Sequence, residues 1–468
     1  MQLNAQPQLN VQARIYQFSG NPTKITSGTV TSQEIECYLI GYDSVANKAY
    51  GFNIAKEKLL VYDTKNLKLS QVAALSFKDN GEKRKFQLVF MNNEGKVFFI
   101  TSKIKKSIET LYAQELDKES LTLKPSFKIF EGEVFDKESS SPIFSLSPDR
   151  SALLCRTDYS EDFVVLDRNL QLSWKQAVPP AKKHCKIFRL VNQQQVIIPP
   201  CNTIGSVSSE GDMIFHVCTS QKVREIKTGI DGALGYENVY FHASEDEIFI
   251  EGAVVFKKPT SIFKFNGEYG VFSGFIRDGK AKLHVKKVEA NKGESNYITQ
   301  RRKFLKYPMS APIGMYLLPN GKYIFLWEEY QVVVQSVGLL KAEGLIALKT
   351  YSEDGKFDDI QYLDDRFFDC PEDSPYASIK VIEDQEEQLY LIYSVIDDIS
   401  NKAPQYVDNT AKIQLVRLDE NGKPAQTTIL WARKDHKQKA PIFDRMLKIS
   451  ASEAITINEN GEIFKITF

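Results

Sequence analysis

Residues 141–178 read SPIFSLSPDRSALLCRTDYSEDFVVLDRNLQLSWKQAV. Four short apolar runs, Ile143–Leu146, Ala152–Cys155, Phe163–Leu166 and Leu170–Trp174, are separated by polar, turn-forming residues. In the last run Leu170, Leu172 and Trp174 alternate with Gln171, Ser173 and Lys175, the period of a half-buried strand. Ser147-Pro148-Asp149-Arg150 marks a turn, because proline presets φ and an aspartate can accept from its own following backbone. The stretch therefore reads as a four-stranded antiparallel meander. One such sheet has two apolar faces and cannot bury them alone, so it requires copies beside it.

The copies are present. Similar strand sets occupy Ile35–Ala74, Lys85–Phe130, Lys186–Thr228, Asn238–Ala290, Met315–Leu363 and Ala377–Arg433. The last of these is the cleanest partner of the opening stretch: KIQLVRLDENGKPAQTTILW and EDFVVLDRNLQLSW share an apolar strand, an aspartate, a turn, and a strand ending in Trp431 or Trp174. Asp63–Leu67 (DTKNL) repeats the layout, and Asp278-Gly279 is a two-residue hairpin signal. The set at 186–228 is the least regular, with Pro199 and Pro200 after its second strand. The chain ends on three strands only, and the orphan strands Val11–Phe18 and Lys24–Thr31 near the other end are available to complete that sheet.

Tandem meanders of this kind predict an all-β fold, a β-propeller of four-stranded antiparallel blades. Eight blades are expected, with seven the alternative if the irregular set is connection, and with N- and C-terminal strands closing the ring. A tandem of β-sandwiches would need linkers, and no Pro/Gly/Ser-rich linker occurs. The chain is thus expected to be a single propeller domain over residues 1–468, with an irregular insertion at 291–312. The Ser147–Arg150 turn and the Asp-turn-Trp closures resemble β-propeller repeat proteins, and KIQLVRLDENGKPAQTTILW with the opening stretch resembles exported bacterial propeller proteins of uncharacterised function. The resemblance implies a periplasmic or surface location and carries no catalytic residues. No repeat ends in Trp-Asp, and the paired glycines of kelch repeats are missing.

Composition narrows the function classes. Lys and Arg number 60 and so do Asp and Glu, which removes any global attraction to nucleic acid or anionic membrane. No apolar run reaches the about 18 residues of a transmembrane helix. The first residues lack a basic region followed by an apolar core, so the protein is expected to be cytoplasmic, or periplasmic or secreted if a signal peptide was removed. The 6 cysteines are widely spaced and are expected to be buried free thiols rather than a disulfide scaffold.

Three departures from the repeat are candidate sites. His184, Cys185, Cys201, His216 and Cys218 have the ligand types of zinc without the spacing of a zinc knuckle; a disulfide between two of the cysteines is the competing reading if the protein is exported. The segment Glu353–Asp373 gathers nine carboxylates (Glu353, Asp354, Asp358, Asp359, Asp364, Asp365, Asp369, Glu372, Asp373), a set that suits calcium or a basic partner but fits a solvated loop better. Arg301, Arg302, Lys303 and Lys306 lie among Tyr297, Phe304 and Tyr307, a pattern that in a neutral chain reads first as a solvated face, then as a protein contact, and last as a nucleic-acid site. The sequence has no Gly-x-Ser-x-Gly, no Gly-x-Gly-x-x-Gly and no phosphate-binding loop, and the 5 histidines fall mostly in strands. The expected function is therefore a non-enzymatic binding or scaffolding propeller with a protein partner and with no catalytic, cofactor or metal residues assigned. The alternative is a glycan-active hydrolase or lyase using funnel carboxylates.

Overall fold

The structure is a computed structural model, and it describes residues 16–18, 24–27, 37–79, 81–134, 141–182, 185–201, 209–257, 268–288, 309–335, 338–363, 369–371, 379–384, 388–396, 411–432, 441–458 and 461–467. Eight antiparallel sheets follow one another along the chain, and the fold is an eight-bladed β-propeller. The irregular set at 186–228 is a true blade, with strands Arg189–Asn192, Gln195–Ile198, Met213–Cys218 and Val223–Thr228. No helix among the described residues is long and apolar enough to cross a membrane.

The chain divides into two compact units. The first holds the second to fifth sheets, within residues 76–292, together with Asp354–Lys356. Apolar cores fill the spaces between its successive sheets: Phe98, Leu111, Leu153 and Val164 between the second and third; Leu154, Phe163, Leu190 and Val196 between the third and fourth; Phe215, Ile250 and Phe272 between the fourth and fifth. The middle strands are covered on both faces, so Ala152–Arg156 is buried at every position. Their continuous apolar runs follow from that double burial.

The second unit holds the first, sixth, seventh and eighth sheets. Its eighth sheet is built from both ends of the chain. Lys24–Ser27 pairs antiparallel with Ile463–Thr467 and supplies the missing outer strand. The first and eighth sheets then share a core of Leu60, Tyr62, Ile455 and Ile463. Tyr16–Phe18 behaves differently from the expectation: it pairs in parallel with Ile379–Asp384 of the seventh sheet, as an extra strand. Met309–Pro312, expected to end the insertion, opens the first strand of the sixth sheet, and residues 291–308 lie outside the described residues.

The aspartates that mark the repeats close its turns. Asp167 Oδ1 accepts from the backbone N–H of Asn169 at 2.8 Å and of Gln171 at 2.9 Å; Asp419 does the same for Asn421 and Lys423. Asp63 and Asp117 each accept two amides in turns one residue longer. Asp63–Leu67 and Asp167–Leu170 are therefore two turn lengths rather than one layout. Both end on a left-handed residue, with φ 50° at Leu67, 59° at Leu170 and 76° at Gly422.

The alternation Leu170, Leu172, Trp174 is not one strand face. Leu170 is buried in the turn, and the strand begins at Leu172, which is 63% exposed. A bulge then changes the register, since Leu166 faces Leu172 while Val165 faces Trp174. The seventh sheet repeats the device next to its own aspartate, with Leu418 facing Pro424 and Arg417 facing Gln426, and carries a second bulge where Gln414 faces Ile429 and Ile413 faces Trp431. The position equivalent to Trp174 is therefore Gln426, and Trp431 follows the second bulge. Such bulges increase the twist of an outer strand and blunt its open edge.

Candidate functional site

The fourth sheet takes apart the set of zinc-type residues. Cys185 and Cys201 form a disulfide, with Cα atoms 5.5 Å apart. The bond spans the hairpin formed by the sheet's first two strands. Cys218 is a buried free thiol in the same apolar cluster as the bridged pair, and burial pushes its pKa up to about 12, against the thiolate a metal would need. His216 lies on the same face as Cys218 but is bonded elsewhere: its Nε2 is 3.1 Å from Glu225 Oε1 on the adjacent strand. Burial and the neighbouring Lys182 hold the imidazole pKa below its usual value. Lys182 is itself buried, and that lowers its pKa to about 8. His184 lies outside the described residues. No group of three potential metal ligands is found among the described residues. The expectation of free thiols holds for Cys37, Cys155 and Cys218 and is corrected for Cys185 and Cys201.

The bridged loop is anchored from the third sheet. Arg156 is completely buried at the end of that sheet's second strand. Its guanidinium donates to the Cys185 carbonyl at 2.8 Å and to the Ser160 carbonyl at 3.1 and 3.3 Å, and it lies 4.9 Å over the Phe188 ring.

The acidic segment is dispersed where it is described. Within the first unit Asp354 Oδ2 is 2.7 Å from Lys282 Nζ and 3.3 Å from His284 Nε2. Within the second unit Asp358 Oδ2 is 2.6 Å from Lys322 Nζ. Asp359 accepts from the Ile360 N–H. Asp364, Asp365, Glu372 and Asp373 lie outside the described residues, as do Arg301, Arg302, Lys303 and Lys306 with their aromatic neighbours. The described side chains at 353–359 make ion pairs and turns and do not converge on a common centre.

A recess forms at a place the repeat pattern passes over. Before the second sheet the chain makes a small hairpin that belongs to no blade, pairing Lys78 with Lys83 and Asp79 with Glu82. Gly81 takes φ +83° at its tip, and the Arg84 N–H closes its base on the Phe77 carbonyl at 2.9 Å. Phe77 is buried and seats the hairpin with ring centroids 5.7 Å from both Phe86 and Phe99. Arg84 turns inward, 3.6 Å above the Tyr112 ring, while Lys83 and Lys85 on either side of it are exposed. Lys85 pairs in register with Ser102 on the next strand, beside Lys103. The result is a cavity of about 500 Å³ lined by Glu82, Lys83, Lys85, Ser102, Lys103 and Ile104. The Lys103 ammonium meets the Glu82 carboxylate, and Ser102 Oγ accepts from the buried Gln87 amide at 2.8 Å.

Two sequence signals mark this recess. Asn80-Gly81 is a turn dipeptide, and residues 78–106 carry eight Lys and Arg against three Asp and Glu. The chain's overall neutrality conceals that local excess.

No protein-family model matches the sequence, and no relative is found among curated proteins. Among solved structures the chain is similar to the WD40 domain of SCAP from fission yeast, with a TM-score of 0.42 and 10% identity over 95% of this chain and 98% of that one. It is also similar to the dihydro-heme d1 dehydrogenase NirN in complex with DHE, with a TM-score of 0.40 and 11% identity over 95% of this chain and 75% of that one. A third similar structure is the Cps50 (Swd1) β-propeller domain of Myceliophteria thermophila, with a TM-score of 0.32 and 9% identity over 83% of this chain and 97% of that one.

Proposed function

We propose that this chain is a non-enzymatic binding or scaffolding propeller that contacts a protein partner outside the reducing cytoplasm. The observation that carries the binding reading is the hairpin Phe77–Arg84. It adds nothing to the blade pattern, yet it is firmly seated, and it walls a recess with cations from adjoining strands. A surface of this kind recognises a partner by charge complementarity. The Cys185–Cys201 bridge supports an oxidising compartment, where disulfides persist.

Two measurements test the reading. Protein recovered from its native source and digested without reductant should yield the Cys185–Cys201 peptide pair; free thiols at both positions would refute export. The immobilised full chain should retain a defined partner that is lost on Lys83→Glu with Lys103→Glu. Turnover of any member of a glycan panel by the purified chain would replace the binding reading with the enzymatic one.

A further inference from the structure

We infer that the outer strand of the seventh sheet, Pro424–Ala432, pairs edge to edge and antiparallel with the same strand of a second copy of this chain. The contact is separate from the recess of the second sheet. Three features of the strand lead to this partner.

The first is openness. Tyr16–Phe18 already occupies the opposite edge of the sheet, and Pro424–Ala432 is the last strand on this side. Its first six residues, 424–429, are all exposed, whereas the outer strands of the first and fourth sheets reach three in a row. Successive side chains of a strand point to opposite faces, so a continuous exposed run is covered on neither face. The edge itself presents backbone N–H and C=O groups to whatever strand lies beside it.

The second is a flat stretch of edge. Ala425 and Leu430 are the extra residues of two bulges, which blunt the strand at both ends. Between them residues 426–429 face residues 417–414 in unbroken register. A strand can add to those four residues without a kink.

The third is charge, and it selects a second copy. Lysines and carboxylates on an outer strand guard it against strand addition. Each of the other seven outer strands carries such a residue, from Lys24 in the eighth sheet to Lys280, Lys282, Lys286 and Lys287 in the fifth. Pro424–Ala432 carries none. Two-fold pairing sets each residue against itself or a near neighbour in the other copy, so a charged edge would repel its own copy and this one does not. The axis of such a pair passes through a residue, and the middle of the flat stretch is Thr427-Thr428. A threonine then faces a threonine, a favourable cross-strand pair. Pairing consumes the edge, so association stops at two copies.

The test is sedimentation velocity of the full chain at low salt. A contact confined to a short strand edge should have a Kd between about 10 µM and 1 mM, so the dimer fraction should rise across about 5–500 µM. Thr427→Lys/Thr428→Lys should weaken the dimer about tenfold or more by setting like charges against each other, and Thr427→Glu/Thr428→Glu should do the same. An equimolar mixture of these two variants should associate at least as well as wild type, a rescue that loss of structure cannot produce. Gln71→Lys/Val72→Lys, on the exposed outer strand of the first sheet, should leave association unchanged. Whichever of Thr427→Cys and Thr428→Cys lies on the axis should crosslink to its own copy under mild oxidation, because facing Cα atoms about 4.5–5.5 Å apart are within reach of a disulfide. Circular dichroism and melting temperature confirm that each variant is folded.

A monomer at every concentration would overturn the pairing. So would undiminished dimerisation of both charged variants, or a mixture of them that stays monomeric. Growth beyond two copies would overturn the closed two-fold contact. Cysteine variants that crosslink in native extract only to a different protein would give the edge to that protein and overturn self-pairing.

Discussion

Leu170→Gly sets two opposed effects against each other, and the structure says which one wins. Leu170 has φ 59°, in the left-handed region, where an L-residue other than glycine or asparagine carries about 1–2 kcal/mol of strain. Glycine occupies the corresponding place in the Asp419 turn, at Gly422, and in the Asn92 turn, at Gly95. On backbone grounds alone the substitution should stabilise. Yet Leu170 is only 3% exposed and packs in the core between the second and third sheets with Phe98, Leu111 and Leu166. Truncating a buried leucine to alanine costs about 2–5 kcal/mol, and the core has little room to collapse around the gap. Taking about 3.5 kcal/mol lost against about 1.5 regained leaves Leu170→Gly about 2 kcal/mol less stable than wild type. The exposed pair Lys106-Ser107, with φ 51° and 64°, is the control. It forms a two-residue hairpin turn with no buried side chain at stake, so Lys106→Asn with Ser107→Gly should gain about 1 kcal/mol. Urea denaturation followed by tryptophan fluorescence gives both differences as midpoint shifts of opposite sign. A Leu170→Gly midpoint at or above that of wild type would mean that turn strain outweighs core packing, and the reasoning would fail.

Three further outcomes are expected. Arg156→Met should destabilise by about 3 kcal/mol, read as a urea midpoint, because the Cys185 and Ser160 carbonyls lose their charged donor in a fully buried place; a near-neutral effect would show that water or another donor replaces it. Reduction of Cys185–Cys201, or the double change to alanine, should lower stability by about 3 kcal/mol, the loop-closure value for a sequence separation of 16; identical melts with and without reductant would contradict that. His242 lies partly buried on the first strand of the fifth sheet, and burial first and Arg189 second lower its pKa to about 4. Between about pH 6.5 and pH 4 the unfolded chain therefore binds a proton that the folded one refuses, and stability falls as pH drops through that window, on the order of 1–2 kcal/mol after solvent screening. His242→Gln should flatten that acid slope in melting temperature, and an unchanged slope would refute the assignment.

The blade plan was legible because each blade is written locally. An apolar run buried on both faces, an aspartate whose carboxylate caps the next two amides, and a left-handed residue closing the turn all lie within about a dozen residues. Ile143–Trp174 and Ile379–Trp431 could therefore be matched by eye, and the three strands at the C-terminal end could be seen to lack a fourth. The bulge opposite Val165 and Leu166 could not be seen, since an extra residue in an outer strand leaves the run of residue types unaltered and changes only which of them point inward. Ser209–Glu210 is a second case in which local residue types mislead. It looks like a turn of the fourth sheet, and it pairs instead with Gly235–Tyr236 of the fifth, a choice made by tertiary neighbours. The disulfide depended on the same kind of information. Nothing within reach of Cys185 distinguishes Cys201 from Cys218 as its partner, and the pairing follows from the hairpin that brings the ends of the first two strands together.

The recess was missed for a different reason, and it bears on where function resides in a repeat fold. A search for the repeat treats Phe77–Arg84 as filler between strands, because its residues do not alternate and its charges cancel in the whole-chain sum. Its anchoring argues against filler. A connection that merely spans a gap has no need of Phe77 buried between Phe86 and Phe99, nor of Arg84 laid over Tyr112. Those contacts hold the hairpin in one position against the sheet, and fixed position is what a charged surface needs in order to discriminate between spacings of a partner's charges. Blade residues such as Trp174 and Trp431, though the most conspicuous in the sequence, are committed to packing: Trp174 stands edge-on to Phe163 and Trp431 lies in the core between the seventh and eighth sheets. The side chains left to meet another molecule are those that the repeat did not require.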